Sequence, residues 1–395
     1  MATNNNNKAL NVPALRFPEF TGEWEKCKLS KVCSFFSGGT PPSSNKEYYN
    51  GNIPFIRSGE LHNDETELFI TKEGLDNSAA KMVEVGDLLL ALYGATSGDI
   101  AISKIKGAIN QAILCIRTKQ NKKFVESVWN KHVARLLQTY LQGGQGNLSA
   151  DIVKNIPFYF TNIEEQNKLA RFISLLDQRI AAQNKIIEKL QSLIKGLVDE
   201  LMTVLLKGKL YPFSSFYIKA GEGGTPTTSV VEYYTEGTIP FIKIEDLSCK
   251  YLTNNKDFIT ELGMQKSSAW LIPSKSVIYS NGATIGAISI NEYPVCTKQG
   301  ILGIVPNTNI NVEYLYLLMS SSYFSKEISR IITEGTMKTA YLKDINHIKC
   351  PLPSMAQQKN ITNLTSSIEE KLSIEQELLR FLNLQKQYLL HMIFI

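Results

Sequence analysis

The chain reads Gly39-Thr40-Pro41, then Tyr48-Tyr49, then Ile53-Pro54-Phe55-Ile56-Arg57, and it repeats this series about half a chain later. The second copy reads Gly224-Thr225-Pro226, Tyr233-Tyr234 and Ile239-Pro240-Phe241-Ile242-Lys243. Further matches follow in the same order, pairing residues 94–98 with 282–286 and Gln111 with Gln299. An ordered series of matches at a nearly constant spacing indicates a duplication with small insertions, which makes the chain a pseudo-twofold object.

The composition is that of a globular protein with a mild basic excess. The 395 residues include 42 Lys and Arg against 37 Asp and Glu, so the net charge of +5 leans only slightly toward anionic partners. The six cysteines contain no C-x-x-C pair, so neither a zinc site nor a disulfide framework is indicated. We find no secretion signal and no apolar run near the ~20 residues of a membrane span, so we expect a cytoplasmic protein.

Each copy alternates short β-branched and aromatic runs with clusters of Gly, Asn, Ser and Pro, a pattern typical of strands joined by turns. In the first copy the strand candidates are residues 53–56, 87–91 and 112–116. A helix is expected at 122–141, where apolar residues recur at three- and four-residue steps, and its counterpart in the second copy at 312–332. Each copy is therefore predicted to be a mixed α/β domain that buries its own core.

A different pattern follows each domain, because apolar residues there recur in steps of four and three over several heptads. Such a narrow seam is what two helices need in order to pack along each other. The first seam contains Leu169, Ile173, Leu176, Ile180, Ile187, Leu190, Ile194, Leu197, Leu201 and Val204, interrupted by Gln183. The second seam contains Ile361, Ile368, Leu372, Leu379, Leu382 and Leu389, interrupted by Thr365, Glu375 and Lys386.

Both long helices begin with capping-box residues, Asn162 with Glu165 and Ser354 with Gln357. A twofold relation between the copies would place the helices antiparallel, so we expect an intramolecular antiparallel coiled coil with one domain at each end. Two other arrangements stay open, in which each helix packs on its own domain or the helices pair two chains. The expected division is a first domain at 1–161, a helix at 162–208, a second domain at 209–353 and a helix at 354–395.

Catalytic and cofactor-binding patterns are missing from the sequence. The glycines of residues 94–98 lack the spacing of a dinucleotide loop, and Gly208-Lys209 lacks the Ser or Thr of a phosphate-binding loop. No histidine pairs with another at metal-ligand spacing or recurs at the equivalent position of the other copy; the histidines are His62, His132, His347 and His391. Duplicated enzymes would repeat an acid, a base or a nucleophile, so we predict no catalytic residue, no metal and no cofactor.

The matched blocks, in this order and followed by capped helices, resemble the specificity subunit of type I restriction-modification systems. The resemblance spans essentially the whole chain. It rests on the Pro-Phe-Ile strand, the Gly-Ala-Thr-x-Gly turn and the helix start at Glu165-Gln166, each of them duplicated. The second helix departs from this pattern by starting with Gln357-Gln358, which keeps the capping chemistry.

The resemblance implies a DNA-binding protein that is not itself an enzyme. Each target-recognition domain would bind one half of a split, asymmetric double-stranded DNA sequence, and the helices would set the spacer between the halves. The helices would also dock two methyltransferase subunits and, through them, the motor-nuclease subunits. The methyl donor, ATP and magnesium would belong to those partners, which carry out DNA methylation and restriction.

Candidate DNA contacts follow from comparing the two copies. Positions alike in both copies suit phosphate contacts or loop scaffolding, whereas differing polar positions suit base recognition. Arg57 and Lys243 are shared cations, and Tyr93 with Asn281 is a differing pair in which Asn could bind adenine through two hydrogen bonds. The other candidates lie in shared loops or in the segments before the long helices; they are Thr96, Gln111, Gln145, Asn147, Thr284, Gln299, Lys338 and Thr339. A solvated loop residue or an internal loop clamp is the alternative for each.

Two functions from other classes compete with this hypothesis. One is a stand-alone DNA-binding or scaffold protein that forms a homodimer through the coiled coil. The other is a self-sufficient methyltransferase, which the missing methyl-donor loop and the missing Pro-Pro catalytic motif disfavour. Neighbouring genes for a methyltransferase and a helicase-nuclease would distinguish the specificity subunit from the stand-alone protein.

Overall fold

The computed structural model describes residues 10–140, 148–282, 284–332 and 339–395. The chain divides into two compact units. Unit 1 comprises Met1–Asn184 with Glu377–Ile395, and unit 2 comprises Lys185–Gln376. Each unit therefore contains one α/β domain together with part of both long helices, a division that differs from the sequence-based one because each helix contributes to two cores.

The elements of unit 1 alternate short strands and short helices before the first long helix. The strands are β1 (Glu25–Lys28), β2 (Cys33–Ser37), β3 (Tyr49–Ile56), β4 (Phe69–Ile70), β5 (Lys81–Val83), β6 (Leu88–Ala91), β7 (Ile100–Ile102), β8 (Gly107–Ile109), β9 (Ile113–Thr118) and β10 (Pro157–Phe160). The helices are α1 (Leu29–Val32), α2 (Lys72–Asp76), α3 (Lys122–Tyr140), α4 (Ala150–Asn155) and the first part of α5 (Ile163–Leu205).

Two four-stranded sheets build the domain of unit 1. One has the order β2-β9-β6-β7 with antiparallel neighbours, and the other has the order β4-β3-β8-β5, in which β3 and β8 are parallel. All four residues of β6 are buried: Leu88 and Leu90 belong to one hydrophobic core, and Leu89 and Ala91 to another. Successive side chains of a strand point to opposite faces, so this apolar run serves two cores at once.

Unit 2 repeats this order of elements. Its strands are β11 (Leu210–Pro212), β12 (Tyr217–Glu222), β13 (Ile239–Ile242), β14 (Tyr251–Leu252), β15 (Asp257–Ile259), β16 (Val277–Ser280), β17 (Ile288–Asn291), β18 (Cys296–Thr297), β19 (Ile301–Pro306) and β20 (Lys349–Pro351). Its helices are α6 (Glu261–Gln265), α7 (Val312–Ser320), α8 (Ser322–Ile331), α9 (Leu342–Ile345) and the first part of α10 (Met355–Ile393).

The sheets of unit 2 correspond to those of unit 1. The order β12-β19-β16-β17-β14 extends the arrangement of β2-β9-β6-β7 by one strand, and β15-β13-β18 corresponds to β4-β3-β8. Strand β13 pairs in parallel with β18, as β3 does with β8. The predicted fold class, a mixed α/β chain with two repeated domains and two long helices, is confirmed.

One predicted element is wrong. The single helix expected at 312–332 is two helices, α7 and α8, separated at Ser321, whose φ of −68° and ψ of 153° are extended. The Ser321 hydroxyl accepts a hydrogen bond from Phe324 N at 3.2 Å. Asp199 of α5 accepts two more, from Ser322 N at 2.8 Å and from the Ser322 hydroxyl at 2.6 Å. A carboxylate at the N-terminus of α8 is favourable, and it arrives from a distant part of the sequence that a local pattern does not reveal.

The long helices pack side by side within unit 1. Ile173 of α5 and Leu390 of α10 belong to the same hydrophobic core, and Asp177 Oδ1 lies 2.5 Å from Lys386 Nζ. A step of four residues forward along α5, from Ile173 to Asp177, corresponds to a step of four residues backward along α10, from Leu390 to Lys386. The two segments therefore run antiparallel here. Lys386, a polar interruption of the predicted seam, is therefore an ion-pair partner.

The helices also pack together within unit 2, through the end of α5 and the start of α10. Val198 and Met202 of α5 share a hydrophobic core with Ile361 of α10. The seam residues predicted between Leu169 and Leu197 and between Ile361 and Leu389 are buried or half-buried. Val204, which the sequence placed on the seam, is 61 % exposed and lies off it. The buried residues near the C-terminal end of α5 are Val198 and Met202.

Each long helix carries a carboxylate at an equivalent position that binds a lysine of the adjoining domain. In unit 1, Asp177 of α5 lies 2.7 Å from Lys123 of α3. In unit 2, Glu369 of α10 lies 2.6 Å from Lys250. Burial opposes ionisation of Asp177, but hydrogen bonds from Lys123 and Lys386 lower its pKa below the ordinary value.

Within the described part of the chain, no helix is both long and apolar enough to cross a membrane.

Candidate nucleic-acid interface

The Gly-Thr-Pro segment of unit 1 packs against the loop that carries Gln111. The Thr40 hydroxyl donates a hydrogen bond to Gln111 Oε1 at 2.5 Å, and Gly39 N donates to Ile109 O at 3.2 Å. Only glycine fits at position 38, because a Cβ there would lie 1.8 Å from Ile109 O. Gln111 thus helps to hold this loop, but its side chain is exposed, so its contact with DNA stays a prediction.

Unit 2 repeats this arrangement with small changes. Gln299 N donates to the Thr225 hydroxyl at 3.4 Å, and Gly223 N donates to Ile301 O at 2.9 Å. A Cβ at Gly223 would lie 2.0 Å from Thr297 O, so glycine is required here as well. The Gln299 side chain is exposed, so it remains a candidate for contact with DNA.

The two shared cations are both bound to carboxylates of their own domain. Arg57 contacts Glu60 at 2.7 Å and Glu67 at 2.9 Å, and hydrogen bonds to these two carboxylates raise the pKa of Arg57. Lys243 contacts Asp257 at 2.9 Å, and this hydrogen bond raises the pKa of Lys243. Both cations keep their charge, but neither is free; phosphate binding at these positions stays a prediction that requires exchange of partners.

A buried carboxylate beside Arg57 fixes the end of β3. Burial favours the neutral form of Glu60, but hydrogen bonds from Arg57 and Thr66 outweigh it and lower the pKa of Glu60 to about 2. Arg57 N also donates to Glu60 Oε2 at 3.0 Å, and in unit 2 Lys243 N donates to Asp246 Oδ2 at 2.8 Å. The repeated cation is therefore part of a repeated turn.

The Gly94–Gly98 turn of unit 1 depends on two glycines in the left-handed region, each with a φ of 87°. Trp129 Nε1 donates to Gly98 O at 2.8 Å, which fixes the turn on α3. Thr96 is half-buried in this turn, whereas Thr284, its counterpart in unit 2, is exposed. The backbone carbonyl of Thr96 accepts a hydrogen bond from Asp99 N at 2.9 Å, so part of its role is structural.

Asp99 follows this turn and binds His62, which gives unit 1 a titratable pair. His62 Nε2 lies 2.9 Å from Asp99 Oδ1 and 3.0 Å from Oδ2, and this hydrogen bond raises the pKa of His62. The position equivalent to Asp99 in unit 2 is Ala287. The pair therefore distinguishes the two domains just after the Gly-Ala-Thr-x-Gly segment that both copies of the sequence contain.

The differing pair Tyr93 and Asn281 does not behave as the sequence predicts. Asn281 is 1 % exposed, and its Nδ2 donates to Ala340 O at 3.1 Å while its backbone pairs with Ala340. A buried side chain cannot reach a DNA groove, so Asn281 is a fixing point for the chain at Ala340. Tyr93 is half-buried against the core of unit 1, and burial raises its pKa.

The remaining candidates lie in or beside the segments before the long helices. Thr339 is half-buried next to Ala340. Gln145, Asn147 and Lys338 lie outside the described residues.

A buried glutamine at the start of each long helix fixes that helix to its domain, a role that the sequence did not predict. Gln166 is fully buried; its Oε1 accepts from Asn121 N at 3.1 Å, and its Nε2 donates to Gln120 Oε1 at 2.6 Å and Thr161 O at 2.7 Å. Gln358, at the equivalent position in unit 2, also makes three hydrogen bonds, and those with Asn311 N and Pro353 O correspond to the bonds of Gln166 with Asn121 N and Thr161 O. Their recurrence in both copies was the available signal, since a capping box does not require them.

The capping box of α5 is only half formed. Asn162 Oδ1 accepts from Glu165 N at 2.9 Å, but the Glu165 carboxylate binds Arg16 through two 2.7 Å contacts instead of the cap backbone. A bidentate pair with a guanidinium is stronger than a single hydrogen bond from a backbone N–H to the same carboxylate, and Glu165 is fully buried. In α10 the box is complete, because Ser354 N donates to Gln357 Oε1 at 3.0 Å and Gln357 N returns to the Ser354 hydroxyl.

Metal-binding clusters are not found among the described residues, where no three His, Cys, Asp or Glu side chains are placed to hold an ion.

A family model described as the type I restriction modification DNA specificity domain matches residues 21–192 and, again, residues 216–383. The chain belongs to this family. Each matched segment of the specificity family contains one domain followed by most of a long helix, so the duplication seen in the sequence is a duplication of the family unit.

Members of the specificity family are similar to this chain over nearly its whole length or over somewhat less than half of it. The type I restriction enzyme MjaVIII specificity subunit of Methanocaldococcus jannaschii is 23 % identical over 394 residues, covering 92 % of this chain and 89 % of that protein. The EcoR124I/EcoR124II specificity subunit of Escherichia coli is 30 % identical over 179 residues, covering 42 % of this chain and 43 % of its own. Among solved structures, a type I S subunit from M. genitalium covers 97 % of this chain and 99 % of its own with a TM-score of 0.55 and 17 % identity, which shows a shared fold.

Proposed function

We propose that this chain is the DNA-specificity subunit of a type I restriction-modification complex, in which each domain binds one half of a split DNA target. The observation that carries the proposal is the duplicated family domain, which repeats its Gly-Thr-Pro contacts and its buried glutamine clamp but has the His62–Asp99 pair in unit 1 and Ala287 in place of Asp99 in unit 2. Two domains of the same shape but different surface chemistry suit two short, different sequences. An asymmetric two-part target follows from this arrangement.

The proposal assigns recognition, not catalysis, to this chain. The contacts that recur in both copies are those of turns, glycines and glutamine clamps, which position loops and helices. Methyl transfer, ATP hydrolysis and DNA cleavage would then belong to methyltransferase and motor-nuclease subunits. The gap between the two half-sites would depend on α5 and α10.

Exposed apolar residues on the long helices are the proposed docking surface for the methyltransferase subunits. In unit 1, the last part of α10 exposes Leu378, Phe381, Leu384 and Tyr388, with exposed fractions of 38 %, 52 %, 49 % and 62 %. Steps of three and four residues place them along one side of the helix, away from the seam. A surface of this kind is typical of a site that a partner protein covers.

The proposed function is tested by co-expressing the chain with its methyltransferase partner and mapping methylated adenines across the genome. We expect a two-part motif with a fixed gap that disappears when this chain is deleted. Methylation that persists without the chain would refute the proposal.

The docking surface is tested by Phe381→Glu, which places a charge in the middle of the apolar side of α10. Co-purification of the methyltransferase should fall at least tenfold, because an unpaired charge at an apolar contact is costly to desolvate. Gln387→Glu is the matched control, since Gln387 is exposed on the same helix outside the apolar side. Equal co-purification by both variants would place the docking surface elsewhere.

A further inference from the structure

Between the Gly-Thr-Pro segment and the paired tyrosines, each domain carries a loop that the same contacts fix at both ends. We call residues 41–50 of unit 1 and 226–235 of unit 2 the tyrosine-anchored loops. The hydroxyl of Tyr49 donates to Pro41 O at 2.6 Å, and the hydroxyl of Tyr234 donates to Pro226 O at 2.5 Å. Each loop is thus closed by a hydrogen bond between its own ends.

A second set of contacts ties each loop to the following strand and helix. In unit 1, the Thr71 hydroxyl donates to Glu47 O at 3.2 Å, and Thr71 N donates to Tyr48 O at 3.0 Å. In unit 2, the Thr260 hydroxyl donates to Glu232 O at 3.0 Å, and Thr260 N donates to Tyr233 O at 2.9 Å. Each of these three hydrogen bonds therefore recurs at the equivalent position of the other loop.

The two backbones agree in conformation up to the 3₁₀ turn and diverge after it, since Tyr49 has φ −113° and ψ 170° whereas Tyr234 has φ −125° and ψ −35°. Each loop contains a 3₁₀ turn, at Lys46–Tyr48 and at Val231–Tyr233. The residues before these turns have nearly equal dihedral angles, with φ −95° and ψ 87° at Asn45 and φ −96° and ψ 99° at Val230. The order of exposed, half-buried and buried positions is identical along residues 41–50 and 226–235.

The side chains on this shared backbone differ in chemistry at its centre. Unit 1 presents Asn45 and Lys46, whereas unit 2 presents Val230 and Val231, and Val231 is 70 % exposed. Lys46 has no ion-pair partner within the described part of the chain. A rigid loop that offers an amide and a cation in one domain and two β-branched apolar residues in the other suits recognition of two different surfaces.

We propose that the tyrosine-anchored loops determine base specificity, an inference that rests on the proposed function. Asn45 and Lys46 have the donors that bind purine edges in the major groove, since Asn pairs with adenine N6 and N7 and Lys binds guanine O6 and N7. Val230 and Val231 suit contact with the thymine methyl group. Because the hydrogen-bonded scaffold fixes the loop before binding, little conformational entropy is lost on contact with DNA.

The test exchanges the loop residues between the two domains. The variants are Asn45→Val with Lys46→Val and, in the reverse direction, Val230→Asn with Val231→Lys; the backbone angles at Asn45 and Val230 are nearly equal, so neither exchange requires a new backbone conformation there. Each variant is purified as the complex with the methyltransferase, and its bound sequences are selected from randomised DNA duplexes. The control is Lys31→Val, which removes an exposed lysine of α1 in unit 1.

We expect each exchange to change base preference by roughly tenfold or more at one or two positions of one half-site, with the gap and the other half-site unchanged. Unaltered base preference in both exchanges would overturn the inference. A loss of affinity that is equal for all DNA sequences would also overturn the inference, because it would mean that the loops contact phosphates and not bases. Thermal melting of each complex checks that a lost preference does not come from unfolding. If the unmodified complex selects no two-part sequence, the proposed function itself fails; if it does and only the exchanges are silent, the loop inference alone fails.

Discussion

Replacing Gln358 by Met removes the polar clamp at the start of α10 while keeping the size of the side chain. Gln358 is fully buried; its Oε1 accepts from Asn311 N at 2.7 Å, and its Nε2 donates to Asn309 O at 3.0 Å and Pro353 O at 2.9 Å. Each of these hydrogen bonds contributes about 1 kcal/mol net, and methionine can replace none of them. With a volume-conserving change the cavity cost is small, so unit 2 should lose about 3 kcal/mol of unfolding free energy.

The assay has to resolve the two units, because a chain with two cores need not unfold in one step. Amide hydrogen exchange followed by peptide mass spectrometry meets this need, and exchange through unfolding of unit 2 should accelerate roughly 100-fold. Gln357→Met is the matched control: Gln357 is exposed and its side chain accepts only from Ser354, so the loss should stay below about 1 kcal/mol. If the two variants destabilise unit 2 equally, the clamp is not what fixes α10 to its domain.

The same physical reasoning gives three more expectations. Arg16→Ala leaves the Glu165 carboxylate buried without its partner, and hydrogen exchange should show unit 1 losing about 3–5 kcal/mol; a loss no larger than at an exposed salt bridge would contradict the buried pair. Since the hydrogen bond to Asp99 raises the pKa of His62, the pair stabilises unit 1 fully below about pH 6.5 and ceases to do so as the pH rises through the raised pKa. Asp99→Asn should therefore lower the His62 pKa in an NMR titration, and an unchanged value would mean that the pair does not form in solution. Arg57→Ala and Lys243→Ala should each weaken DNA binding by the assembled complex and reduce its salt slope by about 1, whereas an unaltered slope would show that these cations stay with their carboxylates.

Some contacts recur in both domains and form a shared scaffold, whereas other features occur in one domain only. Shared contacts include the tyrosine anchors, the glutamine clamps and the carboxylates of the long helices. Features that differ between the domains include the His62–Asp99 pair, the Arg16–Glu165 pair and the side chains at the centre of the tyrosine-anchored loops. A fold that keeps its loop geometry while changing exposed residues can alter one half of a DNA target without disturbing the other.

The sequence predicted most of what depends on local order. Strands β3, β6 and β9 and helix α3 follow from apolar runs and from three- and four-residue steps, because backbone periodicity decides which side chains face a core. The seam of α5 and α10 follows from the heptad spacing for the same reason. The break between α7 and α8 was missed because its stabilising carboxylate, Asp199, belongs to a helix more than a hundred residues away in sequence.

The candidate site was harder to predict, because contact with DNA depends on exposure and on charge partners. Asn281 has a side chain suited to adenine, yet the fold buries it under Ala340. Gln111 accepts a hydrogen bond from Thr40 while its side chain stays exposed, so it holds a loop and its contact with DNA stays a prediction. Residue type and repeat position cannot reveal either outcome, since both come from residues distant in sequence.

By itself, the sequence determined the duplication, the family, the mixed α/β class and the helical seams, all of which are encoded in the order and spacing of residue types along the chain. Only the tertiary structure decided which repeated residues are internal clamps, which cations are already paired, and which differing side chains occupy loop positions with nearly equal backbone angles. The physical reason is that burial and hydrogen bonding arise between segments far apart in sequence. A linear pattern gives the chemistry of a side chain, and the folded chain alone decides what that side chain can reach.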